Sequence, residues 1–377
     1  MRTLIVFLAL LLGHPALADV LAQNEDFKTA WAAYSEAVES GRASKILTAS
    51  KAVAEIAERQ LPESDPRLAK ILQNYGVALR RGNKASESRA VLERSLGLME
   101  NIHGEGSIEL VPVMADLADA YSSYRNSDLQ LSHYKRAIKI VRKEHGKESM
   151  EYADLAFRAA TNTFSLSRSL TARQYLLDAQ RIYTENFGAE DQKIGLTVFF
   201  LGKMAFAESN YRRAADYLEE ALPSFAGESD EVRVYRMATH ALLVQVYESW
   251  GKSDLATRHS IAIGRDSPAS PEADYQPLFR QLPKYPRAMW QRRIEGSVVV
   301  EFTVNEDGFT ENARVIKAVT SEPDSTIKAL ASDDENESFA VAALAAVKKF
   351  RYAPRFENGV AVPVENVKAR VVFKLGK

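Results

Sequence analysis

The sequence predicts an all-α helical solenoid followed by a small α+β domain of about three antiparallel strands and two helices. Three observations carry this: a repeat of constant period through the middle, a proline-containing break, and alternating apolar patterns over the last hundred residues. With 377 residues, 46% hydrophobic and 26% charged, the chain has the balance of a globular protein with room for two or three domains. A formal net charge of −1 gives no basic footprint, so nucleic acid is not an expected partner.

The chain opens with Arg2, an apolar run Leu4–Leu12 and then Ala16-Leu17-Ala18. This order reads as a secretory signal, with cleavage expected after Ala18. The run is about half the ~20 residues a spanning helix needs, and His14-Pro15 follows it. The alternative to cleavage is an uncleaved anchor; the expected compartment is the periplasm, with membrane association through partners. No cysteine is present, which removes disulfides, a thiol nucleophile and a lipidated Cys.

Residues 24–265 repeat. Leu92, Tyr134, Leu176 and Leu218 recur every 42 residues, as do Ser95, Ala137, Ala179 and Ala221. Turn positions Pro62, Gly104, Gly146 and Gly188 keep the same step. Leu72-x-x-Tyr75-Gly76-x-x-Leu79 has helical spacing, and small residues recur at Gly76, Ala118, Ala160 and Gly202, where paired helices must approach. A constant period of this size predicts about six helical hairpins stacked so that each covers its neighbour's apolar face. These units resemble tetratricopeptide (TPR) repeats in a longer, 42-residue form. Ala159-Ala160-Thr161 lacks a large residue, so an irregular unit is expected there. Stacked hairpins leave a groove for a second protein. Arg80 and Arg81 are either groove cations or solvated helix ends. Phe199 and Phe206, with Phe200, are either a groove patch or core between repeats, the common fate of helical aromatics.

Asp266-Ser267-Pro268-Ala269-Ser270-Pro271-Glu272 breaks the period, and a linker is expected over 266–276. The domain from 277 to 377 follows. Pro286 suits the first turn of a short helix to about Arg293. Val298, Val300, Phe302 and Val304 alternate with Ser297, Val299, Glu301 and Thr303, the period of a half-buried strand. Asp307-Gly308 signals a hairpin, with a return strand over about Thr310–Val319. The acidic stretch Ser332–Glu337 feeds a helix with Phe339, Ala343, Val347 and Phe350 on one stripe, ended by Pro354; Asn358-Gly359 is a further turn. In the last strand Val367, Ala369, Val371, Phe373 and Leu375 share one face, while Lys368, Arg370, Val372 and Lys374 share the other.

Pro283-x-Tyr285-Pro286, Ile294-Glu295-Gly296, Asp307-Gly308, Phe350-Arg351-Tyr352-x-Pro354 and Val371-Val372-Phe373-Lys374-Leu375 together resemble the C-terminal domain of TonB, the energy transducer of Gram-negative bacteria. In that family the last strand accepts the extended TonB-box peptide of an outer-membrane receptor by β-augmentation. The resemblance implies a partner-binding strand edge at Val367, Lys368, Ala369, Arg370, Val371, Val372 and Phe373. Tyr285 and Pro286 match the family's Y-P motif, as either a peptide contact or packing at the domain's start. Departing from the familiar transducers, the chain shows a cleavable-looking signal and a repeat region where they have an anchor and a Pro-rich rod. The implied role is a periplasmic adaptor of TonB-dependent transport. Its partners would be a receptor at the strand edge, an inner-membrane transducer or motor component at the repeats, and a second copy of the chain as a competing dimer. The alternative is a periplasmic scaffold for envelope assembly whose TonB-like module only docks or dimerises.

An enzyme is not expected. The six histidines show no H-E-x-x-H spacing, and there is no G-x-S-x-G, Gly-rich phosphate loop or G-x-G-x-x-G. No catalytic residue, cofactor or metal is expected.

Overall fold

The computed structural model describes residues 21, 24–122, 126–163, 170–188, 190–266, 275–321 and 333–375. The expected signal segment and residues 267–274 of the expected linker lie outside them. The chain divides into two compact units, Met1–Phe187 and Gly188–Lys377.

The first unit holds α1 (Glu25–Ser40), α2 (Ala43–Gln60), α3 (Pro66–Arg81), α4 (Ala85–His103), α5 (Val111–Ala120), α6 (Ser127–Glu144), α7 (Met150–Thr163) and α8 (Leu170–Asn186). They pack in consecutive pairs. Short polar connections such as Gly82–Lys84 make each pair antiparallel. Asn24 and Asp65 accept backbone N–H groups at the starts of α1 and α3, meeting donors the helices cannot satisfy themselves. The repeat period has a packing cause. At Gly76 on α3 a Cβ would lie 2.6 Å from Leu92 Cγ on α4, so the small position lets the large one of the same repeat close in. In the next two repeats Ala118 and Ala160 stand at the small position and Tyr134 and Leu176 at the large one, all buried. Among the described residues α7 runs through Ala159-Ala160 to Thr163 with both alanines buried; residues 164–169 of that unit lie outside them.

The second unit begins with two further helical pairs: α9 (Gln192–Ala207) with α10 (Tyr211–Ala221), and α11 (Asp230–Trp250) with α12 (Ser253–Asp266). Gly202 repeats the Gly76 arrangement, with a Cβ falling 2.7 Å from Leu218 Cγ. Gly251 ends α11 in the left-handed region that glycine adopts without strain. Then come α13 (Arg287–Gln291), β1 (Glu295–Val304), β2 (Thr310–Ser321), α14 (Asp333–Val347), β3 (Arg355–Glu357), β4 (Val360–Val362) and β5 (Val364–Phe373). The main sheet is antiparallel with order β2-β1-β5, and β3 and β4 form a separate hairpin around Asn358-Gly359. That hairpin was legible only as a turn, because strands of three residues are too short to show alternation. The helix ahead of it stops at Val347, short of Pro354, since Arg351 is already extended and bridged to Phe279.

Val298, Val300, Phe302 and Val304 of β1 and Val367, Ala369, Val371 and Phe373 of β5 point to one side, against Phe339, Ala343 and Val347 of α14. Each large apolar side chain buried there contributes about 1.5–3 kcal/mol.

This module is seated on the last helical pair. Leu278, Phe279 and Ala353 join the core formed by α9–α12. At Gly264 on α12 a Cβ would come 2.2 Å from the Pro354 carbonyl oxygen, so the module's backbone lies directly against that helix. Arg351 is 1% exposed; its guanidinium lies 3.4 Å over the Phe309 ring, donates to Thr257 Oγ1 of α12, and holds Nε 2.8 Å from Glu248 Oε1 of α11. The ion pair is close but poorly aligned, leaving Nε and Nη1 without an aligned hydrogen bond. Burial pulls the Arg351 pKa below the usual arginine value, opposed by Glu248 and Asp307.

Candidate functional site

The alternation in β5 comes from a sheet covered on one face. Lys368 and Arg370 are exposed on the other face, and Val372 is 46% exposed. Opposite them on β1 stand Glu301, Val299 and Ser297. Glu301 pairs with Arg314 of β2 and, at 3.7 Å, with Lys368; the hydrogen bond from Arg314 is the main cause holding its carboxyl below the ordinary value. Arg370 donates to Ser297 Oγ at 3.1 Å. Register shifts between Phe302 and Val304, where Asn366 takes a φ of 58°, so regular pairing runs from Val367 to Phe373. β5 ends the strand order, and among the described residues no strand pairs with its outer edge. That edge presents backbone donors and acceptors beside a flat run of seven residues, Val367–Phe373, which can accept one extended segment.

Tyr285 and Pro286 sit at the near end of this strand. The Tyr285 hydroxyl donates to the Ile294 carbonyl at 2.6 Å, and its ring meets those of Phe339 and Phe373 edge-on at 5.7 Å. Pro286 is the N-cap of α13. The observed contacts of Tyr285 are packing contacts that fix the C-terminal end of β5.

A second candidate lies in the first unit. A groove of about 720 Å³ is lined by Trp31 and Tyr34 of α1, Asn74, Arg80 and Arg81 of α3 and Asp116 of α5, among others. Its floor is a polar network. Asp116 accepts from Gln73 Nε2 and from Arg158 Nη2, both at 2.6 Å, and Asp119 accepts from Arg158 at 2.7 Å and from the buried Tyr134 hydroxyl. Burial alone would lower the Arg158 pKa, but Asp116 and Asp119 outweigh it and raise it. Burial, followed by Asp119, pushes Tyr134 well above the ordinary tyrosine value.

The structure brings Arg80 and Arg81 to this groove. It does not bring the phenylalanines there. Phe199 is 7% exposed in the core of the second unit, edge-on to Tyr235, and Phe206 is half-buried beside Tyr211. Sequence reasoning missed Asp116, Asp119 and Arg158. A signal was present: Asn74, Asp116 and Arg158 are spaced by the 42-residue period, so one register position supplies the groove three times.

Residues 281–332 match the family model of the Gram-negative bacterial TonB protein C-terminal. The fold resembles that of a signal transduction ATPase from Pyrococcus horikoshii with a tetratricopeptide repeat sensor: TM-score 0.51 at 16% identity, over 68% of this chain and 38% of that one. BtubC from P. vanneervenii gives a TM-score of 0.49 at 16% identity, over 69% and 98% of the two chains. Among curated proteins, the secreted RxLR effector RXLR-C07 of Plasmopara halstedii is 31% identical over 110 residues, 29% of this chain and 34% of the effector. RxLR effector SFI4 of Phytophthora infestans is 30% identical over 111 residues, 29% and 33% of the two chains. The chain thus spans about a third of the length of the curated relatives it matches. Among the described residues no helix is long and apolar enough to cross a membrane. The chain therefore has a TPR-like helical repeat fold, and its residues 281–332 match the TonB C-terminal family.

Proposed function

We propose that the chain is a periplasmic adaptor of TonB-dependent outer-membrane transport. The outer edge of β5 pairs with the extended TonB-box peptide of a receptor, and the groove of the first unit holds a second protein, an inner-membrane transducer or motor component. The observation that carries this is the open edge over Val367–Phe373 of a strand paired to β1, which itself lies within the 281–332 stretch of TonB C-terminal type. Backbone pairing would supply affinity, and the alternation of Lys368, Arg370 and Val372 with the buried residues would supply specificity.

The test is in-cell photo-crosslinking from position 372, which is exposed enough to accept a benzophenone side chain. Adducts to the plug of an outer-membrane receptor are expected. Adducts only to other copies of the chain, or only to envelope-assembly proteins, overturn the transport reading and leave an edge used for dimerisation or docking.

A further inference from the structure

We propose that the strap from Arg280 to Arg293 docks on an anionic phospholipid bilayer, with its cations on lipid phosphates and with Leu282 and Trp290 entering the interface. The proposal goes beyond the pairing of β5 and does not depend on it.

Charge is concentrated in this strap. From Tyr275 to Ile294 the chain has no Asp or Glu but five cations, Arg280, Lys284, Arg287, Arg292 and Arg293, in a protein whose formal net charge is −1. All five are exposed. Among the described residues no ion pair involves Lys284, Arg287 or Arg293. Arg280 lies 5.8 Å over the ring of Phe350, which follows two further exposed cations, Lys348 and Lys349. The next acid along the chain, Glu295, accepts the Leu375 N–H at 2.9 Å.

The apolar members of the strap cannot fold away. The Tyr285 hydroxyl donates to the Ile294 carbonyl at 2.6 Å, and buried Met289 and Ile294 pin the strap to the core of the module. Helical geometry puts Arg287, Trp290 and Gln291 on the side of α13 opposite Met289. Trp290 is thereby held outward at 62% exposed, and Leu282, in the extended stretch before α13, is 79% exposed.

These features favour a bilayer over an acidic protein. A protein partner rewards a large apolar side chain when a packed pocket surrounds it. A bilayer interface accepts an indole or an isobutyl group without a shaped pocket, and its phosphates draw Lys and Arg. Two large apolar residues set among cations on a short, pinned strap fit the bilayer. The Tyr285 ring also meets Phe373 edge-on at 5.7 Å, so lipid contact at the strap sets the C-terminal end of β5 close to the membrane surface.

The test is flotation of the full chain with vesicles of phosphatidylcholine, alone or mixed equally with phosphatidylglycerol. Binding is expected to the anionic vesicles only. It should weaken with salt, as the screening length falls from about 10 Å at 0.1 M to about 3 Å at 1 M. Lys284→Gln/Arg287→Gln should lower the partition coefficient about tenfold. The same charge change at two exposed lysines of α6, Lys135→Gln/Lys139→Gln, should change it about twofold or less. Trp290→Ser should weaken binding several-fold. Trp290→Phe should keep it and remove most of the fluorescence quenching that brominated lipid causes in the natural chain. All these positions are exposed, so thermal midpoints should not move. No affinity for anionic vesicles overturns the proposal and leaves the strap to an acidic protein surface. An equal loss in the α6 variant, or quenching retained in Trp290→Phe, also overturns it. So does partition unchanged in both Lys284→Gln/Arg287→Gln and Trp290→Ser, which would assign binding to the apolar run Leu4–Leu12 that every variant keeps. Crosslinking at position 372 reads the β5 edge without vesicles, so the two readings fail separately.

Discussion

Arg351 shows how one side chain serves two parts of a unit. Its guanidinium is removed from water, and Glu248 and Thr257 of the last helical pair receive it. Replacing Arg351 by Met leaves Glu248 at a closed surface without its cation. Breaking a buried pair this way costs about 3–5 kcal/mol. We expect urea unfolding of the second unit to shift down by about that amount, while Arg287→Met on the exposed side of α13 shifts it little. A second residue-scale device is the relay between α10, α11 and α12. Glu219 accepts from Tyr247 and from His259 Nε2, each at 3.0 Å. His259 Nδ1 in turn lies 2.9 Å from His240 Nδ1, so one ring donates to the other. Burial, then His259, depresses the His240 pKa to about 4, and the hydrogen bond from His259 holds Glu219 below its ordinary value. Both shifts have one sign. The native state resists protons that the unfolded chain takes up, so stability is full above about pH 6.5 and falls as pH drops towards 4. A thermal midpoint measured across that window should decline, and His240→Gln should flatten the decline.

At the scale of elements, small residues set the distance between helices. Gly76→Ala places a methyl group 2.6 Å from Leu92 Cγ. Better helix propensity returns up to ~1 kcal/mol, but overpacking costs about 1–3 kcal/mol, so net destabilisation is expected in urea titrations. Gly264→Ala meets backbone rather than side chain, 2.2 Å from the Pro354 oxygen. Backbone cannot rotate aside, so the larger loss is expected there, with faster proteolysis after Pro354 as a second readout. These elements were legible in sequence to different degrees, for physical reasons. The helical pairs showed through because one packing solution recurs every 42 residues, and β1 and β5 because one face of each is covered. The β3–β4 hairpin and the seat on α11 and α12 did not show. Arg351, Glu248 and Thr257 come from distant stretches, and a buried arginine reads in sequence like an exposed one. The groove was half legible: Arg80 and Arg81 stood out as a charged pair, whereas Asp116, Asp119 and Arg158 emerge only when residues one period apart are compared.

For the whole molecule, the C-terminal module has no clean boundary at the expected linker. Leu278, Phe279 and Ala353 complete an apolar core with α9–α12. A chain ending at Asp266 should expose that surface, bind a hydrophobic dye and melt lower than the full chain, as uncovered apolar patches do. The module alone, from Tyr275, should likewise lose stability, because Arg351 would face water in place of Glu248.

The seat of Arg351 also has a mechanical meaning. A tether attached along β5 would pull on β1 through their shared ladder, and β1 leads through Gly308 to Phe309, against which Arg351 is stacked. Tension would then pass by way of Glu248 and Thr257 into two helices 21 and 14 residues long. The sheet is riveted to a stiff support at the end from which a tug would otherwise peel it.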